Sequence, residues 1–250
     1  MAVKHLLILG GTAEARELAR RVAITIPKKV RVTTSLAGRR AKAPALPGDV
    51  RIGGFGGIDG LVDYINENAV DLVIDATHPF SAIISDHANA AAEATGVPRL
   101  QLLRPLWQLP PTAEWIEVDD LTDAARDLPR FAKRVFLTTG VRGLEAFSGL
   151  DDIWFLVRLM DPPAEPPPLA QLELITGKPP YSFEDERAIL ADHNIDTLVT
   201  KNSGGDGTEA KVFAAAEAGV KIILIRRPPP EPGPVVETVD DAFAWIESQV

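Results

Sequence analysis

The chain has 250 residues, 46% hydrophobic and 24% charged, the balance of an ordinary globular protein with length for one large domain or two small ones. A formal net charge of −9 argues against a nucleic-acid partner, because phosphate binding needs a basic face, so an anionic ligand has to be held by local cations. The absence of cysteine excludes disulfides, thiolate metal sites and cysteine nucleophiles, and four histidines (His5, His78, His87, His193) without ligand spacing predict no metal.

The N-terminus, MAVKHLLILGG, reads as a first strand and not as a signal peptide. No apolar run approaches the length of a membrane helix, so the expected compartment is the cytoplasm. Val3 to Leu9 is followed by Gly10, Gly11 and Thr12. A helix then places Ala15, Leu18, Ala19 and Val22 at helical spacing. Glycines at a strand-to-helix turn let a ligand approach the backbone, and the N–H groups at the helix start favour phosphate. The match to G-x-G-x-x-G is imperfect, since Thr12 and Ala15 replace its second and third glycines; a tight turn capped by Thr12 explains the residues about as well.

A second strand, Val30 to Thr34, ends in Ser35-Leu36-Ala37-Gly38-Arg39-Arg40. NAD-binding folds usually carry an acid there for the ribose 2′-hydroxyl, whereas an arginine suits the 2′-phosphate of NADP. A serine and two arginines without an acid favour NADP. A short strand at Val50 to Ile52 runs into Gly53-Gly54-Phe55-Gly56-Gly57, whose glycines suggest that something approaches the backbone, and a helix follows from Ile58 to about Asn68.

The organising stretch is VDLVIDATHPF, Val70 to Phe80. Its apolar run fits a strand buried on both faces, and Asp75, Thr77 and His78 mark the strand end where open α/β sheets bind ligands. Pro79 is expected to open a helix running to Thr95, closed by Gly96. A strand from Val97 to Leu103 then leads into Arg104-Pro105-Leu106-Trp107.

Leu109-Pro110-Pro111-Thr112 reads as a boundary between lobes 1–109 and 110–250, the first binding NADP and the second α/β as well. Strands are expected at Trp115–Val118, Val135–Thr138, Trp154–Leu159, Leu172–Thr176, Thr197–Thr200 and Lys221–Ile225. Helices are expected at Ser182–His193, Glu209–Ala218 and Asp240–Gln249. The prolines of Asp161 to Pro168 form a semi-rigid spacer. Thr200-Lys201-Asn202-Ser203-Gly204-Gly205-Asp206-Gly207-Thr208 joins a strand end to a helix start. Lysine, small polar side chains and a glycine turn can surround an anion, although Thr208 as a mere helix cap is the alternative.

Taken together, GGTAEAR (Gly10–Arg16), SLAGR (Ser35–Arg39), GGFGGIDGL (Gly53–Leu61), DATHPF (Asp75–Phe80), RPLW (Arg104–Trp107), LTTG (Leu137–Gly140) and TKNSGGDGTEAK (Thr200–Lys211) resemble the precorrin-6A reductase family of corrin-ring biosynthesis. The resemblance implies two Rossmann-like lobes with parallel sheets flanked by helices, a cleft between them, and NADPH-dependent reduction of a tetrapyrrole ring double bond. It implies that Gly10, Gly11 and Thr12 face the cofactor, Ser35 and Arg39 its adenosine ribose, Gly53 and Gly54 its backbone, and Thr77 and His78 the nicotinamide. Lys201, Asn202, Ser203 and Gly204 would hold cofactor phosphate or substrate carboxylate.

Candidate proton donors are His78, Lys201 and Tyr181; Arg104, Arg142 and Arg158 are candidates for the substrate's carboxylates, and each could equally be a surface residue. A tetrapyrrole small molecule is the expected partner, without nucleic acid or membrane; a monomer and contacts with other pathway enzymes are both compatible with the sequence. Three alternatives stay open: the cobalt-precorrin-6A reductase of the anaerobic route, a non-catalytic NADP-sensing Rossmann protein, and a reductase of another unsaturated molecule.

Overall fold

The computed structural model describes residues 2–38 and 46–250, in which every sheet pairing is parallel. The chain divides into two compact units: Met1–Arg104 with Pro228–Val250, and Pro105–Arg227. A single cut after residue 109 therefore misses how the chain runs, because its last stretch returns to the first unit.

In unit 1 the strands are β1 (Lys4–Leu9), β2 (Val30–Leu36), β3 (Asp49–Ile52), β4 (Leu72–Asp75), β5 (Arg99–Leu102) and β12 (Val235–Val236). Their order is β12-β5-β4-β1-β2-β3. β1 shows why the sheet is covered on both sides. Alternate side chains of a strand point to opposite faces. Leu6 and Ile8 pack with Ala15, Leu18 and Val22 of α1 (Ala13–Thr25), while Leu7 and Leu9 pack with Leu61 and Ile65 of α2 (Ile58–Glu67) and Ala88 and Ala91 of α3 (Ala82–Thr95).

α7 (Val239–Ser248), expected in the second lobe, lies instead on the α1 side of this sheet. It buries Ala242, Phe243 and Ile246 against that core. At roughly 1.5–3 kcal/mol for each large apolar side chain, Phe243 and Ile246 are enough to hold a short terminal helix.

Unit 2 contains β6 (Trp115–Val118), β7 (Arg134–Leu137), β8 (Trp154–Leu159), β9 (Leu172–Thr176), β10 (Thr197–Lys201) and β11 (Lys221–Ile225), ordered β6-β11-β10-β7-β8-β9. Phe136, Leu156, Leu198 and Ile222 meet Leu190 of α5 (Phe183–Asp192) and Val212 and Ala215 of α6 (Ala210–Glu217). A further helix, α4 (Leu121–Asp127), was not expected from its seven-residue sequence; Asp120 caps it by accepting from the N–H groups of Thr122 and Asp123.

The two sheets share one plan. Counted from the first strand of each wound set, both read 3-2-1-4-5-6, the dinucleotide-fold order. In unit 1 the sixth position is filled by β12, which follows β11 in the chain. In unit 2 it is filled by β6, which follows β5. After each fifth strand, then, the chain leaves its own unit and supplies the outer strand of the other.

Candidate functional site

Each sheet has a point where successive connections turn to opposite sides, and ligands of open α/β sheets bind there, beyond the strand carboxyl ends. In unit 1 it lies between β1 and β4. Parallel register sets Leu9 opposite both Ser35 and Asp75, so the loops after β1, β2 and β4 start at one level.

Thr12 ties two of these loops. Its Oγ1 donates to the Ala76 carbonyl at 2.8 Å and accepts from the Ala15 N–H at 3.1 Å, so it caps α1 as well as bridging to the β4 loop. The glycines before it have different reasons. A Cβ on Gly10 would lie 3.0 Å from Thr34 Cγ2, whereas Gly11 has φ +130 and open space around the missing side chain. Backbone at Gly11 is therefore approachable beside the start of α1. Glu14, an acid in the first turn of α1, is paired with Arg104 at 3.2 Å, which removes a charge that would repel an anion.

The β4 loop is shaped by Asp75, a carboxylate only 1% exposed. It accepts from the Thr77 N–H at 3.1 Å, the Thr77 hydroxyl at 2.7 Å and Gln101 Nε2 at 3.4 Å. Thr77 thus spends its hydroxyl hydrogen on the loop and does not cap a helix. Pro79 does not open α3 either: the Ser81 N–H donates to the His78 carbonyl in a turn, and the helix begins at Ala82. His78 is exposed, and the Phe80 N–H reaches its Nδ1 at 3.2 Å. A neutral imidazole there carries its proton on Nε2.

Ser35, Gly53 and Gly54 are gathered at the ends of β2 and β3. Arg51 donates to Ser35 Oγ at 3.3 Å and to the carbonyls of Gly53 and Gly54 at 2.5 and 2.8 Å. Sequence reading passed over this arginine, since a strand position next to a glycine run shows no sign of its cross-strand neighbour. Arg39, the cation expected there, lies outside the described residues, as does Arg40.

The reversal in unit 2 lies between β7 and β10. Lys201 ends β10, and its ammonium donates to the Thr139 carbonyl beyond β7 at 2.8 Å. Burial, reinforced by the Arg142 guanidinium, pushes the Lys201 ammonium below the usual lysine range. Asn202 and Ser203 follow, both buried, and Gly204 turns the chain at φ +65, where a Cβ would sit 1.9 Å from the Pro105 carbonyl oxygen. Thr208 does not cap α6: that helix starts at Ala210 with no side-chain cap. Its approach carries Asp206 and Glu209, and burial together with Asp206 raises the Glu209 carboxyl above its ordinary value. Such a start is poorly suited to a phosphate.

Two other candidates are placed differently from expectation. Arg158 is neither at the surface nor presented to a ligand: it is buried with its Nη1 2.8 Å from Glu186 Oε1, and its guanidinium lies over the rings of Tyr181 and Phe136. The approach is not aligned as a hydrogen bond, so an ion pair holds these two charges together. Tyr181 donates its hydroxyl to the Gly177 carbonyl at 2.6 Å, and burial pushes its phenol upward against the pull of Arg158.

No described helix is long and apolar enough to cross a membrane, and among the described residues no His, Asp and Glu cluster could hold a metal ion. Comparison with known proteins gives a match over residues 5–247 to the family "Precorrin-6x reductase CbiJ/CobK". The chain is 48% identical over 247 residues to the precorrin-6A reductase of Rhodococcus erythropolis, covering 97% of each chain. It is 30% identical over 234 residues to the cobalt-precorrin-6A reductase of Salmonella typhimurium, covering 90% of this chain and 88% of the relative. Among solved structures it resembles CobK precorrin-6A reductase with a TM-score of 0.92 at 38% identity, over 99% of this chain and 97% of that one. A match running through both units, joined to two sheets of dinucleotide-fold order, makes this chain a member of the precorrin-6x reductase family.

Proposed function

We propose that this chain reduces one ring double bond of precorrin-6A with NADPH, giving precorrin-6B in cobalamin biosynthesis. The observation that carries the reading is that the family match extends through both units and is not confined to one Rossmann module. The residues of unit 1 fit a dinucleotide. Gly10, Gly11 and Thr12 receive the pyrophosphate at the start of α1, Ser35 takes the adenosine ribose with Gly53 and Gly54 beside it, and Thr77 and His78 border the nicotinamide. The nicotinamide, when bound, supplies the hydride.

The chain's own task is to orient the ring and to deliver a proton to the carbon next to the one reduced. His78 and Lys201 are the proposed donors. Burial and the Arg142 guanidinium lower the Lys201 ammonium from the ordinary lysine range, which makes it a stronger acid than an exposed lysine. Asn202, Ser203 and Gly204 complete an anion-binding turn. We assign it to substrate carboxylates in preference to cofactor phosphate, because the start of α1 in unit 1 already accommodates the pyrophosphate beside the open backbone of Gly11. Precorrin-6A is favoured over its cobalt-loaded form by the higher identity to a precorrin-6A reductase, 48%, than to a cobalt-precorrin-6A reductase, 30%.

Purified protein should oxidise NADPH only when precorrin-6A is added, with slower turnover of the cobalt-loaded form. Tight NADP⁺ binding without any turnover of either substrate would instead identify a nucleotide sensor.

A further inference from the structure

We infer that Arg51, with Ser35, recognises the adenosine 2′-phosphate of NADP(H). The inference rests on the dinucleotide site proposed in unit 1. In this fold NAD and NADP are told apart where the second strand ends, and β2 ends in Thr34, Ser35 and Leu36 without an acid to take the 2′-hydroxyl. β3 runs beside it with Arg51 directly opposite Ser35.

The guanidinium is fixed before any ligand arrives. Three hydrogen bonds hold it to Ser35, Gly53 and Gly54, and it lies 3.8 Å from the Phe55 ring centroid and 5.3 Å from that of Tyr64. A side chain ordered in advance loses little rotamer freedom on binding. Among the described residues Arg51 has no ion-pair partner, in a chain where 35 acids outnumber 26 lysines and arginines. A positioned cation without a carboxylate suits an anion brought in by a ligand. Its bonds to Ser35 and Gly53 use both Nη1 hydrogens and the bond to Gly54 one on Nη2, so the Nε hydrogen and the second Nη2 hydrogen remain as a planar fork for phosphate oxygens. Ser35 Oγ accepts from Arg51, so its own hydrogen remains to be donated to a phosphate oxygen.

The test uses two probes that differ only in the group concerned, adenosine 2′,5′-bisphosphate and adenosine 5′-monophosphate, with affinities measured by calorimetry on the full chain. The wild-type protein should prefer the bisphosphate. Arg51→Ala should weaken the bisphosphate about 10- to 100-fold, the value of losing charge-assisted hydrogen bonds, and the monophosphate less than about threefold. Arg51→Lys should recover part of the preference, since it keeps the charge without the fork. Ser35→Ala should reduce it by about three- to tenfold.

Arg51 also supports the glycine turn, so a collapse of that turn would weaken both probes equally; that result would overturn the inference. It is overturned as well if Arg39→Ala abolishes the preference while Arg51→Ala leaves it intact. Neither result touches the reductase reading, which falls separately if the wild-type protein binds NADP⁺ and turns over no precorrin.

Discussion

The two units have the same strand order and a similar tie across the point where their connections reverse, but they make that tie with different chemistry. In unit 1 a neutral hydroxyl, Thr12, joins the β1 and β4 loops and caps a 13-residue helix. In unit 2 a charged amine, Lys201, joins the β10 and β7 loops, and only a short 3-10 turn, Leu144–Phe147, lies between β7 and β8. One set of strand ends thus presents helix N–H groups and approachable glycine backbone; the other presents the Lys201 amine, with the Arg142 charge close enough to lower its pKa. Peptide dipoles suit a pyrophosphate that must be held without being trapped. Formal charge at lowered pKa suits carboxylates and proton delivery. A shared sheet plan therefore sets where the strand-end loops gather, while the loops set the chemistry they present.

The sharpest way to break this comparison is Lys201→Met. If unit 2 delivers the proton, kcat should fall about 100-fold or more, with NADP⁺ affinity changed by less than about threefold. A large parallel loss of NADP⁺ affinity would instead give both crevices to the cofactor. Thr12→Ala tests the neutral tie. Losing a helix cap and a buried bridging hydrogen bond should cost about 1–2 kcal/mol in urea unfolding and weaken NADP⁺ binding, and Thr12→Ser should restore most of both.

The smallest effect concerns Arg142. A proton donor must be protonated, so if Lys201 is the donor, activity should fall as pH rises through its pKa, which burial and Arg142 place below the ordinary lysine range. Arg142→Gln removes one of the two causes. The alkaline limb of the kcat profile should move to higher pH, and an unmoved limb would take Lys201 out of the proton-delivery role.

Much of this was legible in the sequence because it is written locally. The apolar run within Lys4–Leu9, the helical spacing of Ala15, Leu18, Ala19 and Val22, and glycine at the strand ends each report on a few neighbouring residues, and the strands they predict appear within two or three residues of their expected ends. The motif set was enough to indicate the family. Arg158 shows the limit. An arginine at the end of an apolar strand looks like a ligand contact until Glu186, from a helix 28 positions later, is found beside it.

Arg51 shows the reverse case, since its importance depends on standing opposite Ser35 across two strands. The sequence by itself determined most of the strands, the longer helices and the family. Only the tertiary structure decided that β12 and α7 belong to unit 1, and which side chains meet across strands. The physical reason is that an element's periodicity is encoded in its own residues, whereas its sheet and register are chosen by complementary apolar faces far away in the chain. Leu18 and Val22 find Phe243 and Ile246 only when the whole chain has folded.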